Sequence, residues 1–395
     1  MSCVTAWLML RSQGFCARVM CGGIATVRLV AGALLLVGTL TTADAKPLRV
    51  VSWNIANLAS GPGVALRGYQ RTPADYAVLQ NMVRTLDPDI IALQEIGSLP
   101  AARMVLGDGY AVAFESRCLA NPHRCEADND DIYTAIAYKT ALAGSMSVFQ
   151  LDPLAIAHRD ECGVERQVRG GVGVRMVLKG QSVWIPSLHL KASCKTGAGT
   201  RGETADDCAT QRAQFQMLRD WMNGLPKDDA VILTGDFNRR LLKTGDVEVR
   251  QTYFDAYARP RMFLPSGDRA CWSRRDSGID LRDEVHKRAA FAANPDYDRQ
   301  GLVPFLYDPW AQRDIDFFVI ENLAAERVVA SRQVPMTGHY ELRNIGKATL
   351  RKCDGSVKAT GRSTDPRSGE SKPSALAFSE AYPSDHCPIV LDLAQ

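Results

Sequence analysis

The sequence predicts an α/β fold in which mixed β-sheets are layered with helices. Short apolar segments rich in β-branched residues alternate along the chain with segments of helical period, which is typical of layered α/β domains. The apolar segments 172–178 and 183–190 are joined by the turn sequence KGQS and predict a β-hairpin, so the sheets are not purely parallel. No linker interrupts residues 46–395, and one domain is expected there.

The predicted strands share apolar, β-branched sequences bounded by polar or turn residues. They are residues 48–55, 89–95, 134–139, 172–178, 183–190, 231–237, 315–320 and 388–393. Two segments, 259–309 and 337–379, depart from this alternation and are predicted to be insertions. The second contains the polar stretch GRSTDPRSGESKPS, which is typical of a surface loop.

Two helices are expected from their end signals and apolar faces. Thr72-Pro73 begins the first, because proline is favoured at the first helical position, and Asp75 follows in the first turn. Asp87-Pro88 ends it. The second helix has an apolar face over residues 215–222 and ends at Gly224.

The first 45 residues have the pattern of a secretory signal peptide. Scattered arginines precede an apolar run at residues 29–40, and Ala43-Asp44-Ala45 matches an A-x-A cleavage site. The apolar run is shorter than the roughly 20 residues that a membrane-spanning helix needs. The sequence therefore predicts cleavage after Ala45 and a secreted or periplasmic protein, with an uncleaved anchor as the alternative.

The charge of the predicted mature chain argues against non-specific binding of polyanions. Removal of residues 1–45 takes away three arginines and Asp44, leaving 44 basic and 43 acidic side chains. Non-specific nucleic-acid binders usually carry a strong positive excess. Binding of phosphate must then come from a local site.

Eight cysteines remain after this removal, and an even number in an exported protein suggests disulfides. Cys118 with Cys125, and Cys194 with Cys208, would close short loops and are the predicted pairs. Because no C-x-x-C spacing occurs, a structural zinc cluster is not expected.

Polar side chains stand at or near the ends of most predicted strands. They are Asn54, Glu95, His189, Asp236, Asn238, Asp316, Asp385 and His386. Each alone has an ordinary explanation as a turn residue or a hydrogen-bonded core residue. A carboxylate beside a buried strand is costly, however, unless it is paired or bound to a metal. Recurrence in six segments therefore indicates a shared site.

The motifs WN, QE, HL, GDFN, DIDFF and SDHCP occur in the order found in the endonuclease/exonuclease/phosphatase superfamily, which the chain resembles over residues 48–393. This family includes pancreatic-type deoxyribonucleases, abasic-site endonucleases, inositol-polyphosphate phosphatases and bacterial sphingomyelinases. The resemblance implies a four-layer α/β sandwich, with two mixed β-sheets packed face to face and helices outside. It also implies an active site at one end of the sheets.

The resemblance implies a metal site formed by Asn54, Glu95 and Asp385. Glu95 is the main carboxylate ligand and Asp385 an additional ligand of the metal or of water. Mg²⁺ is the expected ion, with Mn²⁺ or Ca²⁺ as alternatives, because hard cations prefer oxygen ligands. Ala56 stands where abasic-site enzymes carry an aspartate, which weakens an abasic-site role.

The resemblance also assigns the catalytic residues. Asp236 and Asn238 are expected to orient and deprotonate the attacking water. Asp316 is expected to hold the imidazole of His386 and raise its proton affinity, and His189 to donate a hydrogen bond to a phosphate oxygen. Together they fit in-line displacement at phosphorus.

Several assignments stay open in the sequence. Arg169, in QVRGG, is either a phosphate-binding or a surface arginine. The favoured function is a nuclease acting on DNA or RNA, and the alternative is a phosphatase or sphingomyelinase-like phospholipase acting on a small or lipid phosphoester. A lipid-acting enzyme would need exposed apolar side chains, and Trp272 and Phe305 in the predicted insertion could equally be core residues. The complete set of catalytic residue types disfavours a non-catalytic binding module, and the sequence indicates no stable protein partner.

Overall fold

Two mixed β-sheets of six strands each form the centre of the fold. In chain order their strands are β1 (Leu48–Leu58), β2 (Ile90–Ile96), β3 (Tyr110–Phe114), β4 (Tyr133–Lys139), β5 (Ser147–Leu151), β6 (Gly171–Leu178), β7 (Gln181–His189), β8 (Ala230–Asp236), β9 (Arg261–Leu264), β10 (Asp316–Glu321), β11 (Val328–Gln333) and β12 (Ile389–Leu393). The spatial order is β11-β12-β1-β2-β4-β3 in the first sheet and β9-β10-β8-β7-β6-β5 in the second.

A computed structural model describes residues 46–67, 69–120, 125–129, 131–159, 163–194, 205–242, 246–255, 261–265, 315–334, 384 and 386–395, together with the backbone of short strands between 303 and 381. The short strands outside the two sheets are Ala65–Leu66 with Tyr69–Gln70, Ala157–Arg159 with Glu165–Gln167, Arg362–Thr364 with Ser371–Pro373, and Val303–Pro304 with Glu341–Arg343 and Ser379–Ala381. The chain from Ala45 to Gln395 forms one unit.

Three longer helices accompany the sheets: α1 (Pro73–Leu86), α2 (Leu99–Leu106) and α3 (Ala205–Gly224). Shorter helical segments are Ser116–Leu119, Thr140–Ser145, Asp152–Leu154, Val247–Arg250, Gln251–Asp255 and Ala325–Arg327. Helix α1 begins with a capping box, in which the Thr72 hydroxyl accepts from the Asp75 amide and the Asp75 carboxylate accepts from the Thr72 amide. Asp87, in the left-handed region, ends it. Both predicted helix ends are confirmed.

Each sheet contains one parallel pair of strands, β1 with β2 and β7 with β8. The other neighbouring strands are antiparallel. Parallel neighbours need a crossover connection, and α1 and α3 lie in these two connections. Residues that follow buried strands therefore lie at the carboxyl ends of these two parallel pairs.

The core separates into layers that match the predicted sandwich. Between the sheets, Val50 and Leu391 of the first sheet pack in one cluster with Ile232 and Phe318 of the second. On the outer face of the first sheet, a second cluster includes side chains of α1 and α2. A third cluster joins Phe215 and its neighbours in α3 to the second sheet. The order is therefore helix, sheet, sheet, helix, as the family resemblance implies.

The predicted hairpin is present, but its turn is shorter than expected. Lys179 and Gly180 alone connect β6 to β7, and both have positive φ, 47° and 82°. Two consecutive positive φ values are typical of the type I′ turn that matches the twist of antiparallel strands. Gln181 already pairs with Leu178 in the hairpin.

The predicted insertions and leader are described only in part. Strand β9 occupies the edge of the second sheet, so the sheet includes the first residues of segment 259–309. Apart from β9, Pro265 and the short strands named above, the segments 259–309 and 337–379 lie outside the described residues, as do residues 1–45. Within the described part of the chain, no helix is both long and apolar enough to cross a membrane.

Both predicted disulfides are present. Cys118 bonds to Cys125, with their Cα atoms 5.3 Å apart, and Cys194 bonds to Cys208 at 5.0 Å. Cys387 is also disulfide-bonded, to a partner outside the described residues. Disulfides persist in oxidising compartments, so the two pairs agree with an oxidising environment.

Candidate active site

Four of the predicted site residues lie in or at the carboxyl ends of the two parallel strand pairs. Asn54 and Glu95 lie in β1 and β2 of the first sheet, while His189 and Asp236 end β7 and β8 of the second. His189 is in register with Asp236. The Asn54 amide spans the two sheets, because its Nδ2 lies 3.1 Å from Asp236 Oδ2.

Two further residues reach the same place from antiparallel strands. Asp316 is the first residue of β10 and pairs with Asp236, the last residue of β8. His386 precedes β12, which runs antiparallel to β1. The Nδ1 atom of His386 lies 2.8 Å from Asp316 Oδ2, a buried hydrogen bond that orients the imidazole.

The Asn54 side chain bridges two carboxylates. Its Nδ2 donates to Glu95 Oε1 at 3.2 Å and to Asp236 Oδ2 at 3.1 Å, while its Oδ1 accepts from the Ala56 amide at 2.9 Å. The Ala56 contact fixes the amide orientation, since the opposite one would place an NH₂ group against a backbone donor. The amide nitrogen of Asn54 therefore faces the carboxylates, and its assignment as a metal ligand remains a prediction.

The backbone around Glu95 has an unusual conformation. Ala56, Asn57 and Glu95 have φ values of 50°, 52° and 62°, in the left-handed region that non-glycine residues rarely adopt. This conformation directs the Asn57 amide to Glu95 Oε2 at 3.0 Å. Buried Arg71 supports it by donating to the carbonyls of Ala56 and Asn57. Strain of this kind is characteristic of functional sites.

Asn238 holds the Asp236 carboxylate from the other side. Its backbone N–H donates to Asp236 Oδ1 at 2.7 Å. Its side-chain Nδ2 donates to Asp236 Oδ2 at 3.2 Å and to the Leu190 carbonyl at 3.1 Å. Gly235, with φ of 143°, lets β8 approach β7 here, because a Cβ would collide with the Leu188 carbonyl. Asp236 and Asn238 are thus fixed as a pair.

The two histidines face the same carboxylates but have different support. Nε2 of His189 lies 3.7 Å from both Glu95 Oε1 and Asp236 Oδ2, and Nε2 of His386 lies 3.8 Å from Asp236 Oδ2. Nδ1 of His189 is buried without a hydrogen-bond partner among the described residues. Burial lowers the pKa of His189 well below the usual value, and the charges of Arg169 and His386 lower it further. His189 is therefore neutral at neutral pH.

The acidic residues of this cluster are suited to a divalent cation. Burial raises the pKa of Asp236 to about 7 against the opposing effect of His386, and the charge of Asp316 also raises it. Atoms of Asp236, Asp316 and His386 that can bind a metal lie within 4.8 Å of one another. Glu95 adds oxygen atoms beside them. Oxygen donors and buried carboxylates that need positive charge fit a hard ion such as Mg²⁺.

Arg169 lies at the margin of the cluster. Its Nη2 donates to the Leu190 carbonyl at 2.9 Å and its Nε to the His189 carbonyl at 3.3 Å, so the half-buried guanidinium is tied to the end of β7. The structure thus brings together seven predicted residues, with Arg169 next to them. They are Asn54, Glu95, His189, Asp236, Asn238, Asp316 and His386. Asp385 lies outside the described residues.

Ser384 is a site residue that the sequence analysis did not assign. Its hydroxyl donates to the Asn54 carbonyl at 2.7 Å and accepts from the His386 amide at 3.1 Å. The Trp53 indole donates to the His386 carbonyl at 3.0 Å. These bonds connect the His386 loop to β1. The serine of SDHCP and the tryptophan of WN were the available signals, since both precede assigned residues.

Two buried glutamines of α3 hold the loops behind the site. Gln211 Nε2 donates to the carbonyls of Lys191 at 2.8 Å and Asn238 at 3.2 Å. Gln214 accepts from the Lys191 amide at 2.8 Å and donates to the Arg169 carbonyl at 3.4 Å. Gln211 and Gln214 are polar residues on the apolar face of the predicted helix, and this placement was the sequence signal for these contacts.

A buried ion pair lies behind Arg169. The Glu115 carboxylate accepts from Arg117 at 2.8 and 2.9 Å, from the Thr134 amide at 3.1 Å and from the Gly170 amide. A bidentate pair of this kind has a defined geometry. It holds the backbone that carries Arg169.

The comparisons with known proteins agree with this architecture. The model of the Endonuclease/Exonuclease/phosphatase family matches residues 51–386. The chain belongs to this family, whose members are hydrolases acting on phosphoesters. No curated protein matches the sequence significantly.

Solved structures of similar fold have low sequence identity. TDP2 from D. rerio, complexed with a single strand DNA product, is 15% identical with a TM-score of 0.43, over 88% of this chain and 99% of that one. The mannosyl-6-phosphatase Bt3783 from Bacteroides thetaiotaomicron is 14% identical with a TM-score of 0.39, over 88% and 100%. The human Nocturnin catalytic domain is 14% identical with a TM-score of 0.37, over 88% and 95%.

Proposed function

We propose that the protein is an exported, metal-dependent phosphodiesterase that hydrolyses DNA or RNA by in-line attack of an activated water. The observation that carries this proposal is the single cluster in which Glu95 and Asp236 face two imidazoles, with 3.7 to 3.8 Å between the nearest atoms. Buried carboxylates and imidazoles arranged in this way can bind a cation, position water and transfer protons.

For the cation we propose Glu95 as the principal ligand, with Asp385 beside it and Asn54 contributing through Oδ1, the oxygen that accepts from the Ala56 amide. The cluster of Asp236, Asp316 and His386 is less suited to be the principal metal site, because His386 Nδ1 is already bonded to Asp316 at 2.8 Å. When bound, Mg²⁺ supplies positive charge beside the phosphate. Mn²⁺ and Ca²⁺ are the alternative ions.

The residues of the chain would then share the work at phosphorus. Asp236, held by Asn238, orients the attacking water and accepts its proton, for which a pKa of about 7 is suitable. His386, oriented by Asp316, holds a proton at Nε2 and would give it to the leaving oxygen as the P–O bond breaks. His189 is neutral and donates from Nε2 to a phosphate oxygen, and Arg169 contributes a further phosphate contact.

Export is proposed from the leader-like residues 1–45 together with the disulfides, and it places the enzyme outside the cell or in the periplasm. Nucleic acid outside the cytosol would be its substrate. Mass measurement of the secreted protein tests this, because cleavage after Ala45 gives a mature chain beginning at Lys46. Retention of the full-length chain in the membrane fraction would contradict it.

A substrate panel tests the activity. Purified protein is incubated with plasmid DNA, RNA and sphingomyelin, each with Mg²⁺ or with EDTA. We expect Mg²⁺-dependent cleavage of nucleic acid, and its loss in His386→Ala and Asp236→Ala without loss of the fold. His158→Ala is the matched control, because His158 contacts Asp207 and Thr210 rather than the cluster. Hydrolysis of sphingomyelin alone would favour the phospholipase alternative.

A further inference from the structure

Arg67 lies in the turn of a short ribbon next to the candidate active site. The ribbon pairs Ala65–Leu66 with Tyr69–Gln70. The side chain of Leu66 is fully buried and packs against Gly97, where a Cβ would meet Leu66 Cδ2 at 2.7 Å. Because Gly97 follows Glu95 by two residues, this contact fixes the ribbon to the end of β2.

Arg71 fixes the other end of the ribbon to β1. Its guanidinium donates to the carbonyls of Ala56 at 2.6 Å and Asn57 at 3.0 Å, which follow Asn54 by two and three residues. The Gly63 amide donates to the Arg71 carbonyl at 3.0 Å and closes the loop. The ribbon is therefore attached to both first-sheet strands that carry predicted metal ligands.

The backbone at Arg67 is in a conformation that arginine rarely adopts. Its φ is 49°, and turn positions of this kind favour glycine, asparagine or aspartate. A residue held at such φ stores strain, and strain of this kind clusters at functional sites. The fold thus keeps a long cationic side chain at a position where glycine would be more stable.

Arg67 is also the cation near the site that is not committed to another group in the described part of the chain. It is exposed, and it forms no hydrogen bond or ion pair with the described residues. Arg117, in contrast, is paired with Glu115, and Arg169 donates to backbone carbonyls. Arg67 directly follows Leu66, which packs against Gly97, so its backbone stands close to the end of the strand that carries Glu95.

We propose that Arg67 binds a phosphate next to the one being cleaved, so that the site selects chains that carry several phosphates. This inference rests on the proposed nuclease function. Arg169 is attached to the second sheet, and the ribbon that carries Arg67 is attached to the first, so the two arginines extend from different sheets. A guanidinium suits phosphate geometry, and a substrate with one phosphate would leave Arg67 unused.

The test compares Arg67→Gln with wild type on a short single-stranded oligonucleotide and on bis(p-nitrophenyl) phosphate, both with Mg²⁺. We expect KM for the oligonucleotide to rise roughly tenfold, as for loss of one charged hydrogen bond, with kcat nearly unchanged. The slope of log KM against log salt should fall by about 0.7, the value for one phosphate contact in a single strand. Both constants for the small diester should stay unchanged. Arg84→Gln, an exposed arginine in the last turn of α1, is the matched control.

Two further variants separate binding from folding. Arg67→Gly relieves the backbone strain, so its Tm should equal or exceed that of wild type while KM for the oligonucleotide rises. Arg67→Lys keeps the charge and should recover most of the salt dependence. A purely structural role of Arg67 would instead lower Tm and affect both substrates alike.

The possible failures are distinguishable. Wild-type enzyme that cleaves the oligonucleotide while Arg67→Gln keeps its KM and salt slope overturns this inference alone. Wild-type enzyme that does not cleave the oligonucleotide overturns the nuclease function and this inference together, whether or not it cleaves the small diester.

Discussion

At the level of single residues, the two histidines of the site have unequal support. His386 is hydrogen-bonded to Asp316 at 2.8 Å, whereas Nδ1 of His189 has no partner among the described residues. A histidine oriented by a carboxylate is stabilised when it carries a proton. His386 is therefore suited to hold and release a proton, and His189 to donate a hydrogen bond as a neutral ring.

The dependence of His386 on Asp316 can be measured with a double-mutant cycle. We expect His386→Ala to lower kcat about 10³-fold and Asp316→Asn to lower it at least about 10²-fold. The double variant should be no slower than His386→Ala within about threefold, since residues that act as a unit have non-additive effects. Losses that multiply would contradict a shared role.

The raised pKa of Asp236 predicts a pH-dependent effect of metal on stability. A carboxyl with a pKa of about 7 in the fold and 3.8 when unfolded binds more protons in the folded state, so its contribution to stability is lost as pH rises from about 4 to 7. Bound Mg²⁺ would offset this loss. The rise in Tm on replacing EDTA with Mg²⁺ should therefore be larger at pH 8 than at pH 5.

His189 contributes to the same pH range with the opposite sign. Its folded pKa is lowered, so its contribution is present above about pH 6.5 and is lost as pH falls. The rise in Tm on replacing EDTA with Mg²⁺ does not contain the part of the His189 contribution that is independent of metal. In Asp236→Asn, this rise in Tm should be nearly the same at pH 5 and at pH 8. An equal rise in Tm at both pH values in the wild-type protein would contradict the proposed coupling between Asp236 and the metal.

The sequence was sufficient to select most residues of this cluster because each lies in or next to a buried strand, where a polar side chain is costly. It was insufficient to find their orientations. The bond from the Ala56 amide to Asn54 depends on the left-handed backbone at Ala56 and Asn57. Arg71 stabilises that backbone from 14 to 16 residues away in sequence, so no local sequence pattern predicts this backbone conformation.

At the level of elements, the buried side of α3 carries polar residues that hydrogen-bond to the two loops after β7 and β8. Gln211 donates to carbonyls after β7 and after β8, and it accepts from Arg239 at 3.1 Å. The helix thus determines the distance between the loop of His189 and that of Asn238. Such positioning matters because small displacements of reacting groups cost large factors in rate.

Gln211→Met keeps the volume and removes the donors. We expect the free energy of unfolding to fall by about 2–4 kcal/mol, because buried carbonyls lose their partner, and kcat to fall at least about tenfold with little change in KM. Gln216→Met, on the same helix and bonded to Asp220, is the matched control. Chemical denaturation and steady-state kinetics measure both effects. Unchanged kcat in a destabilised Gln211→Met protein would assign Gln211 a structural role only.

The accuracy of the predicted elements follows from burial. Strands such as β8, which is buried along its whole length, have continuous apolar sequences and were predicted within one residue at each end. Strands β5 and β11 lie at sheet edges and are largely exposed or half-buried. Their mixed sequences give no clear period, so they were not predicted.

At the level of the whole molecule, the four-layer arrangement was predicted from the family resemblance rather than from local signals. Strand order depends on contacts distant in sequence, such as the pairing of Leu48 with Leu393. Periodicity identifies a strand but not its neighbour. The same limit applies to the packing of Val50 of one sheet against the other.

The disulfides allow a comparison of two covalent links. Replacing Cys194 and Cys208 by serine should lower the free energy of unfolding by about 3 kcal/mol, as expected for a loop of this length. It should also lower kcat severalfold, because Cys194 follows the Lys191 loop and lies 3.2 Å from Arg239. Replacing Cys118 and Cys125 by serine is the control, because it should lower the free energy of unfolding by a similar amount. An equal loss of kcat in both variants would argue against a specific link to the site.

The position of β12 has a consequence for when the enzyme becomes active. β12 lies between β1 and β11, and Ser384, just ahead of it, bonds to Asn54, 330 residues earlier in the chain. A ribosome must therefore translate both β1 and the segment that begins at Ser384 before the two parts of the proposed site can meet. A nascent chain that stops before Ser384 lacks residues of this cluster, so the proposed hydrolysis has to wait for that segment.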